Sequence, residues 1–494
     1  MSLVSNSPVV DETPIDDLHA LWRAQKDAFL AEGAPSAEVR KNRIDRLLAA
    51  VLDAAGPLTE AANADYGNRP EHWSLKADIL GVVGKLTWAR DNLDEWMKPT
   101  EVDDPAAATM PTTVEVAPLG VVGVIGPWNF PVSLVVVPAA EALAAGNRVM
   151  IKFSDANPRT ARAFAEAIAK YLSPHEVAVV LGGVEVSSAF AALPLDHIFF
   201  TGSPAVGKLV QRAASENLTP VTLELGGKNP VVVGHDADID DAARRIAVSR
   251  LVNGGQVCLC PDYVFVPRAA FSSFVDALRA AFLEYYPNYS TNPGVVSVIN
   301  DKNFQRISRL IEDAIDKGAT AILGVDEHEA QRLPNPITRR IAPTILTGVT
   351  DDMLVAHEEV FGPVLTVLPY GDITEVIDYV AHRPSPLTAY WYGEDSADFA
   401  EFRRRTSTGG ITRNDFAVHL NLPDVPFGGV GQSGMGAYHG KAGFDTFSHQ
   451  RAVATSQVPG SVALTMIPAA MTEAATESLR AAVAAALADV KARL

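Results

Sequence analysis

The sequence contains little cysteine: among its 494 residues there are two, Cys258 and Cys260, separated by one residue. Thiols this close cannot crosslink distant segments, and no further cysteine exists to pair with either. A disulfide framework is therefore excluded, and we expect a reducing, cytoplasmic compartment. The first residues, MSLVSNSPVVDETPIDD, lack the basic patch and apolar run that are typical of a signal peptide.

The chain also lacks an excess of positive charge and a long apolar segment. Its formal net charge is -18, which argues against electrostatic binding to nucleic acid or to anionic membranes. Residues 117–140 carry no charge, but four prolines and Asn129 interrupt them. This pattern predicts a buried strand, a loop and the start of a helix, so we expect no membrane span.

The length of the chain exceeds what one compact core usually holds, so we expect at least two domains. Residues 16–99 have apolar positions at helical spacing. From Val149 onward, predicted strands such as VMIKF and HIFFTG alternate with predicted helices such as NPRTARAFAEAIAKYL. This alternation predicts a parallel sheet with helices on both faces. The pattern restarts after Gly226, which predicts a second α/β domain, and the tail from Thr472 reads as a helix.

Sheets of this kind bind ligands at the carboxyl ends of their strands. Lys152, Gly182 and Gly202 fall at such ends. The segment TGSPAVG, with Gly202, Ser203 and Gly207, lies at a strand-to-helix junction, where free backbone N–H groups suit a phosphate. The segment also fits a simple helix cap, since serine is a favoured N-cap residue.

Three further residues suggest chemistry. Cys258, in NGGQVC, is either a nucleophile or a buried structural thiol. Glu224 lies in the apolar strand of VTLELGG, where it is either a general base with a raised pKa or a carboxylate bonded to backbone amides. Asn129, in GPWNFP, is either an oxyanion donor or a turn residue. No metal site is expected, because C-x-C lacks a second ligand pair and none of the eleven histidines has metal-ligand spacing.

Together the motifs resemble the aldehyde dehydrogenase superfamily. The turn motif is GPWNFP, the base motif LELGGKNP, the thiol motif NGGQVC and a fourth motif EEVFGP; Glu224 precedes Cys258 by 34 residues. The resemblance implies a Rossmann-like parallel-sheet cofactor domain, an α/β catalytic domain and a small oligomerisation arm. We assign residues 1–99 and 120–225 to the NAD(P)-binding domain and 226–435 to the catalytic domain. Residues 100–119 and 436–494 are expected to form the arm and the C-terminal tail.

The resemblance also implies NAD(P)-dependent oxidation of an aldehyde to a carboxylic acid through a thiohemiacetal and a thioester. Cys258 would attack the carbonyl, Asn129 and the Cys258 backbone N–H would hold the oxyanion, and Glu224 would activate water. The implied cofactor-binding residues are Lys152 and Asp155 at the adenosine ribose, Gly202, Ser203 and Gly207 near the pyrophosphate, Trp128, and Glu359 and Phe361 at the nicotinamide.

The sequence departs from the family at KFSD, residues 152–155, where the usual motif is K-P-S-E. The carboxylate of Asp155 is one methylene shorter than that of glutamate. A carboxylate at the ribose favours NAD, and its shorter reach keeps NADP as an alternative. Cys260 is expected to be a passive thiol, with a sulfenamide or a strained disulfide as alternatives.

Within the superfamily, CLCPDYV and the YHG segment resemble the branch that includes coniferyl and fatty aldehyde dehydrogenases. A coniferyl-type or other aromatic aldehyde is the first hypothesis for the substrate, and a long-chain aliphatic aldehyde is the alternative. Two alternatives come from other functional classes. A cofactor-independent thiol hydrolase or acyltransferase would need a histidine near Cys258. A non-catalytic structural protein would not need the set of Cys258, Glu224 and Asn129. The branch implies a homodimer.

Overall fold

The computed structural model describes residues 12–494, so the expectation for the N-terminal residues before Glu12 lies outside the described part. The chain divides into two compact units. The main unit comprises residues 12–96 and 117–449, and the arm unit comprises residues 97–116 and 450–494. The predicted division into cofactor, catalytic and arm domains stays a prediction.

The first part of the main unit is helical, as its apolar spacing predicts. Its elements, labelled in chain order, are α1 (Ile15–Glu32), α2 (Ala37–Asp53), α3 (Ala55–Tyr66), α4 (Glu71–Ser74), a π-helical turn (Leu75–Ile79) and α5 (Leu80–Trp96). Ser36 caps α2, because its side chain accepts a hydrogen bond from the backbone N–H of Val39 at 3.4 Å.

A six-stranded sheet follows, with the order β15-β7-β6-β3-β4-β5. Its strands are β3 (Val121–Ile125), β4 (Arg148–Lys152), β5 (Val177–Val180), β6 (His197–Gly202), β7 (Val221–Leu225) and β15 (Gly434–Met435). The helices between them are α6 (Ser133–Ala144), α7 (Pro158–Tyr171), α8 (Val184–Ala191) and α9 (Pro204–Ser215). The strands pair in parallel except for β15, which pairs with β7 in the antiparallel sense. The predicted α/β class is confirmed, with one antiparallel edge strand.

A seven-stranded sheet has the order β10-β11-β12-β9-β8-β13-β14, and it is parallel except for β10. Its strands are β8 (Asn229–Val233), β9 (Pro261–Pro267), β10 (Thr320–Leu323), β11 (Thr344–Thr347), β12 (Val364–Tyr370), β13 (Thr388–Tyr392) and β14 (Gly410–Arg413). The associated helices are α10 (Ile239–Leu251), α11 (Phe271–Tyr285), α12 (Asp301–Asp316), α13 (Glu327–Ala330), α14 (Ile373–Ala381), α15 (Ala397–Arg405) and α16 (Val418–Asn421). The later helix α17 (Gly440–Thr446) packs instead against α5 and α6. The restart of the α/β pattern after Gly226 is therefore confirmed.

A third sheet has three strands in the order β1-β2-β16, formed by β1 (Thr100–Glu101), β2 (Thr112–Pro118) and β16 (Ser448–Ala454). The tail forms α18 (Glu473–Arg493), as its composition predicts, and Thr472 caps it by accepting from the N–H of Ala475 at 3.2 Å. Within residues 12–494, no helix has both the length and the apolar character needed to cross a membrane.

The order of the six-stranded sheet creates a crevice. From β3 the chain proceeds to β4 and β5 on one side, and β6 then lies on the other side of β3. The loops that follow the carboxyl ends of β3 and β6 therefore diverge. Open α/β sheets bind ligands in the crevice at such strand ends. The loop after β3 carries Trp128 and Asn129, and β6 ends at Gly202, which Ser203 follows. After β7 the chain passes to β8 of the second sheet, so Glu224 lies close to the crossing between the sheets.

Candidate active site

A cavity of about 750 Å³ opens in the main unit, and residues from both large sheets line it. Its lining includes Trp128, Asn129, Gly202, Ser203, Glu224, Cys258, Glu359 and Phe361. These residues come from five motifs that are far apart in the sequence. The structure thus brings the predicted thiol, carboxylate, amide and strand-end glycine into one space.

Cys258 lies in a tight loop between α10 and β9. Asn253, Gly254 and Gly255 precede it with positive φ angles of 51°, 67° and 79°. A Cβ atom at residue 255 would overlap the carbonyl oxygen of Gly362, so glycine is required for this close approach. The Asn229 side chain fixes the far side of the loop, because its Nδ2 donates to the carbonyl of Cys258 at 2.7 Å. The loop therefore holds the half-buried thiol of Cys258 at the cavity wall.

Cys260 has a different environment. Its Sγ lies 3.2 Å from the carbonyl oxygen of Ser249 and 3.6 Å from that of Arg250, and the residue is buried. It is not among the residues that line the cavity. This placement agrees with the expectation of a passive thiol.

Asn129 connects the turn after β3 to the thiol loop. Its Nδ2 donates to the carbonyl of Gln256 at 3.1 Å, two residues before Cys258. The hydroxyl of Tyr66 donates to the Asn129 carbonyl at 3.2 Å, as does Nδ2 of Asn253. An amide nitrogen has two hydrogens, so one remains for an oxygen atom in the cavity. Asn129 is thus both a turn residue and a potential oxyanion donor.

Glu224 lies at the carboxyl end of β7 and is 3% exposed. Within residues 12–494 neither of its carboxyl oxygens has a hydrogen bond of regular geometry. Burial raises the pKa of this carboxyl well above its ordinary value, and the backbone N–H of Gly429 opposes the effect more weakly. The structure therefore disfavours the alternative of a carboxylate satisfied by backbone amides, and the raised pKa makes this carboxylate a stronger base than an ordinary glutamate.

The EEVFGP loop forms the opposite wall. Glu359 lies against Gly226, where a Cβ atom would overlap its carboxylate. Phe361 has a φ angle of 47°, and its ring meets that of Trp128 edge-on, with the centroids 5.2 Å apart. Glu359 therefore contacts the segment after β7, and Phe361 contacts the turn after β3.

Three charged residues hold this loop. Arg306 donates to the carbonyl oxygens of Glu359 and Val360, at 2.9 and 2.7 Å. Asp262 accepts from the backbone N–H of Val360 at 2.9 Å and pairs with Lys228. Lys228 also donates to the carbonyl of Glu358 at 3.1 Å. Because these bonds involve the backbone, they fix the path of the loop and hence the position of Glu359.

The carboxylates of the cavity affect the thiol. Burial raises the pKa of Cys258, and the negative charges of Glu359 and Glu224 raise it further. Burial also raises the pKa of Glu359 to about 8, with the carboxylate of Asp262 adding to the effect. The resting thiol is therefore protonated at neutral pH, and it must lose this proton before it can act as a nucleophile.

We predict that removal of either carboxylate makes Cys258 more reactive in the protein without substrate. In a Cys260→Ser background, Glu359→Gln and Glu224→Gln should each move the pH midpoint of iodoacetamide alkylation to lower pH, because a negative charge that opposes the thiolate is lost. The rate of alkylation as a function of pH measures this. Glu358→Gln is the matched control, because Glu358 pairs with Arg309. Unchanged midpoints in both carboxylate variants would contradict the assigned electrostatics.

The cavity wall formed by β6 and α9 fits a dinucleotide. Ser203 is the N-cap of α9, and its side chain accepts from the N–H of Val206 at 3.4 Å. The hydroxyl of Thr201 is buried and has no hydrogen-bond partner within residues 12–494. A polar, glycine-containing turn at a helix N-terminus and at a switch point is a suitable phosphate position. The cap and phosphate interpretations of this segment are therefore compatible.

The other three predicted cofactor residues do not line this cavity. Lys152 ends β4 and is 1% exposed, and its Nζ donates to the carbonyl of Phe153 at 2.6 Å. Burial lowers the pKa of Lys152 to about 8, against the charge of Asp155. Asp155 is exposed, and Gly207 is buried within α9, where a Cβ atom would press on Leu225. Lys152 and Asp155 are thus close to each other at the strand ends.

The sequence patterns did not single out the residues that hold the EEVFGP loop. Lys228 is part of LELGGKNP and Asp262 is part of CLCPDYV, so both motifs could have drawn attention to them. Arg306 lies on α12 outside any motif, and no local pattern signals its contact with Glu359, 53 residues away.

Comparison with known proteins gives concordant matches. The model of the aldehyde dehydrogenase family matches residues 9–453. A coniferyl aldehyde dehydrogenase from Pseudomonas sp. is 43% identical over 441 residues, 89% of this chain and 91% of that protein. The structure of AldH from Staphylococcus aureus in a substrate-bound state has a TM-score of 0.86 and 33% identity, covering 94% and 99% of the two chains. A P. syringae indole-3-acetaldehyde dehydrogenase in complex with NAD+ has a TM-score of 0.82 and 26% identity, covering 90% of each chain.

Proposed function

Because the chain belongs to the aldehyde dehydrogenase family and oxidises an aldehyde with a nicotinamide cofactor, we propose that the reaction proceeds through a thioester on Cys258. The observation that carries this assignment is the shared cavity of Cys258, Glu224 and Asn129. Cys258 gives its thiol proton to water, and the thiolate attacks the aldehyde carbonyl carbon. The oxygen becomes an oxyanion, which accepts hydrogen bonds from Nδ2 of Asn129 and the backbone N–H of Cys258.

Collapse of this tetrahedral adduct leaves a thioester on Cys258. When bound, the nicotinamide supplies the acceptor for the hydride that leaves the former aldehyde carbon. Glu224 then removes a proton from water, the resulting hydroxide attacks the thioester carbon, and the thiolate leaves as the acid forms. The raised pKa of Glu224 suits this role, because a carboxylate with a higher pKa is a stronger base toward water.

The cofactor is assigned to the crevice between β3 and β6. Ser203 and the backbone of Gly202 would face the pyrophosphate, with Gly207 allowing α9 to pack closely, and Trp128 would line its path. Glu359 and Phe361 would position the nicotinamide ribose and ring beside Cys258. Lys152 and Asp155 would hold the adenosine ribose. The fit rests on the phosphate-binding turn at α9 and on the proximity of Glu359 to the thiol.

We further propose that the enzyme prefers NAD to NADP by about tenfold or more, because the Asp155 carboxylate repels a 2′-phosphate. Asp155→Ala should narrow this preference chiefly by improving use of NADP. The measurement is kcat/KM for both cofactors on the wild type and the variant. Asp65→Asn, which also removes one negative charge, is the matched control. The Asp65 carboxylate accepts a hydrogen bond from the N–H of Thr160 in the first turn of α7 and is not assigned to the ribose. A wild type that prefers NADP would contradict the role of Asp155.

For the substrate we propose an aromatic, coniferyl-type aldehyde. The 43% identical relative is named for such a substrate, and aromatic side chains line the cavity: Trp128, Tyr263, Phe361, Phe427 and Tyr438. The test is a turnover panel of coniferyl, cinnamyl, benzyl and long-chain aliphatic aldehydes with both cofactors. We expect the highest kcat/KM for the cinnamyl type. A clear preference for the long-chain aldehydes would support the alternative substrate class.

The remaining assignments concern the protein in the cell. We propose a cytoplasmic homodimer in which the arm unit contributes the contact between subunits. The support is the branch resemblance and the row of exposed apolar residues on α18: Leu479, Val483, Leu487 and Val490. Light scattering after size exclusion should give twice the chain mass of 52.6 kDa. A monomer at micromolar concentration would contradict this assignment.

A further inference from the structure

The segment before α1 attaches to the edge of the six-stranded sheet. The N–H of Thr13 donates to the carbonyl of Leu181 at 2.8 Å, and the N–H of Leu181 donates to Oγ1 of Thr13 at 3.0 Å. The backbone N–H of Gly183 donates to Oε1 of Glu12 at 2.8 Å. These bonds place the Glu12 carboxylate at the carboxyl end of β5, although the two segments are 171 residues apart in the sequence.

The Glu12 carboxylate occupies a position that would otherwise suit an anion. Gly183 is the N-cap residue of α8, and the free N–H groups at a helix N-terminus attract negative charge. Glu12 satisfies one of these N–H groups. A phosphate brought to this helix end would therefore meet a carboxylate instead of a free donor.

Glu12 also lies near Lys152. In the pairing of β4 with β5, Lys152 is opposite Val180. Leu181, which is bonded to Thr13, follows Val180 directly, and Gly183, which is bonded to Glu12, lies two residues further along. The negative charge of Glu12 acts on the Lys152 ammonium in the same direction as that of Asp155, raising its pKa against the effect of burial. Two carboxylates from separate segments thus face one buried cation at the strand ends.

We propose that Glu12 is a cofactor-specificity residue that disfavours a 2′-phosphate on the adenosine ribose. The inference rests on the proposed function, which assigns that ribose to Lys152 and Asp155. A 2′-hydroxyl can donate a hydrogen bond to a carboxylate, whereas a 2′-phosphate carries nearly two negative charges. Because Glu12 and Asp155 both act on Lys152, the attraction of Lys152 for such a phosphate is offset. The helix end also offers the phosphate no free site at Gly183.

The test uses two nucleotides that differ by the 2′-phosphate alone, 5′-AMP and 2′,5′-ADP, with binding to the protein measured by titration calorimetry. Glu12→Gln keeps an oxygen that can accept from Gly183 but removes the charge. We expect it to tighten 2′,5′-ADP binding about tenfold and to change 5′-AMP binding less than about twofold. Glu185→Gln is the matched control, because Glu185 is an exposed carboxylate in the first turn of the same helix.

Tighter binding of 2′,5′-ADP in Glu12→Gln, but not in Glu185→Gln, supports the proposal. An unchanged affinity ratio in Glu12→Gln, or an equal gain in both variants, overturns it. Aldehyde turnover with each cofactor separates this result from a failure of the proposed function. If the wild type turns over while the ratio is unchanged, only the role of Glu12 fails. If the wild type neither turns over nor binds 5′-AMP, the cofactor assignment fails as well.

Discussion

Replacement of Cys258 by serine is expected to lower kcat by at least about a thousandfold, while binding of the nicotinamide cofactor remains within a fewfold of the wild type. A hydroxyl is a far weaker nucleophile than a thiol. The alkoxide of serine is also a poorer leaving group than a thiolate, so an ester would be hydrolysed less readily than a thioester. The loop geometry should survive the change, because Asn229 bonds to the backbone carbonyl of residue 258 and not to its side chain. Steady-state turnover and cofactor titration together measure the two effects.

Cys260→Ser is the matched control for this prediction. Its thiol lies near the carbonyls of Ser249 and Arg250, where a hydroxyl can donate the same bond. We expect kcat to stay within about threefold of the wild type. If Cys260→Ser abolished turnover while Cys258→Ser retained it, the nucleophile would be assigned to the wrong cysteine.

Glu224→Gln is expected to divide the reaction into a fast and a slow phase. Because the amide cannot remove a proton from water, thioester hydrolysis should slow by about a hundredfold to ten-thousandfold. Hydride transfer precedes this step and should be affected less. Rapid mixing should therefore show a burst of reduced nicotinamide, close to one equivalent per active site, followed by a slow steady state.

Glu359→Gln provides the comparison, since it changes the other carboxylate that acts on Cys258. Glu359 is assigned to the nicotinamide ribose, so its loss should weaken cofactor use without a burst. An unaltered steady-state rate in Glu224→Gln would remove Glu224 from the mechanism. A uniform loss with no burst would show instead that Glu224 acts by activating the thiol.

The features of the fold and of the site that the sequence predicts are those that local patterns encode. Alternating apolar strands and helices predict both α/β sheets, and glycine-rich motifs mark the strand ends where Gly202 and Glu224 lie. The edge strands β10 and β15 are antiparallel, which the alternation does not predict. β15 comprises two residues, which are too few to show any periodicity. Its pairing with β7 joins segments that are far apart in the sequence, since Gly434 is the partner of Glu224.

The contacts that position the site are less predictable than the residues that perform the chemistry. Arg306 holds the carbonyls of Glu359 and Val360, and Glu12 reaches Gly183, through contacts between remote segments. Neither residue lies in a motif. Each side chain bonds to a backbone group of a remote segment, and such a bond places no requirement on the sequence near the side chain. The environment of Glu224 likewise depends on tertiary burial, so the sequence could suggest a raised pKa but could not distinguish it from a carboxylate bonded to amides.

The most direct test of the central claim is to identify the covalent intermediate. Wild-type enzyme is mixed with a cinnamyl-type aldehyde and NAD, quenched in acid during turnover, digested and mapped by mass spectrometry. We predict that the peptide containing both cysteines gains the mass of the aldehyde less two hydrogens, and that fragmentation places this acyl group on Cys258. An acyl group on Cys260, or the same adduct mass with NAD left out, would contradict oxidation through a thioester on Cys258.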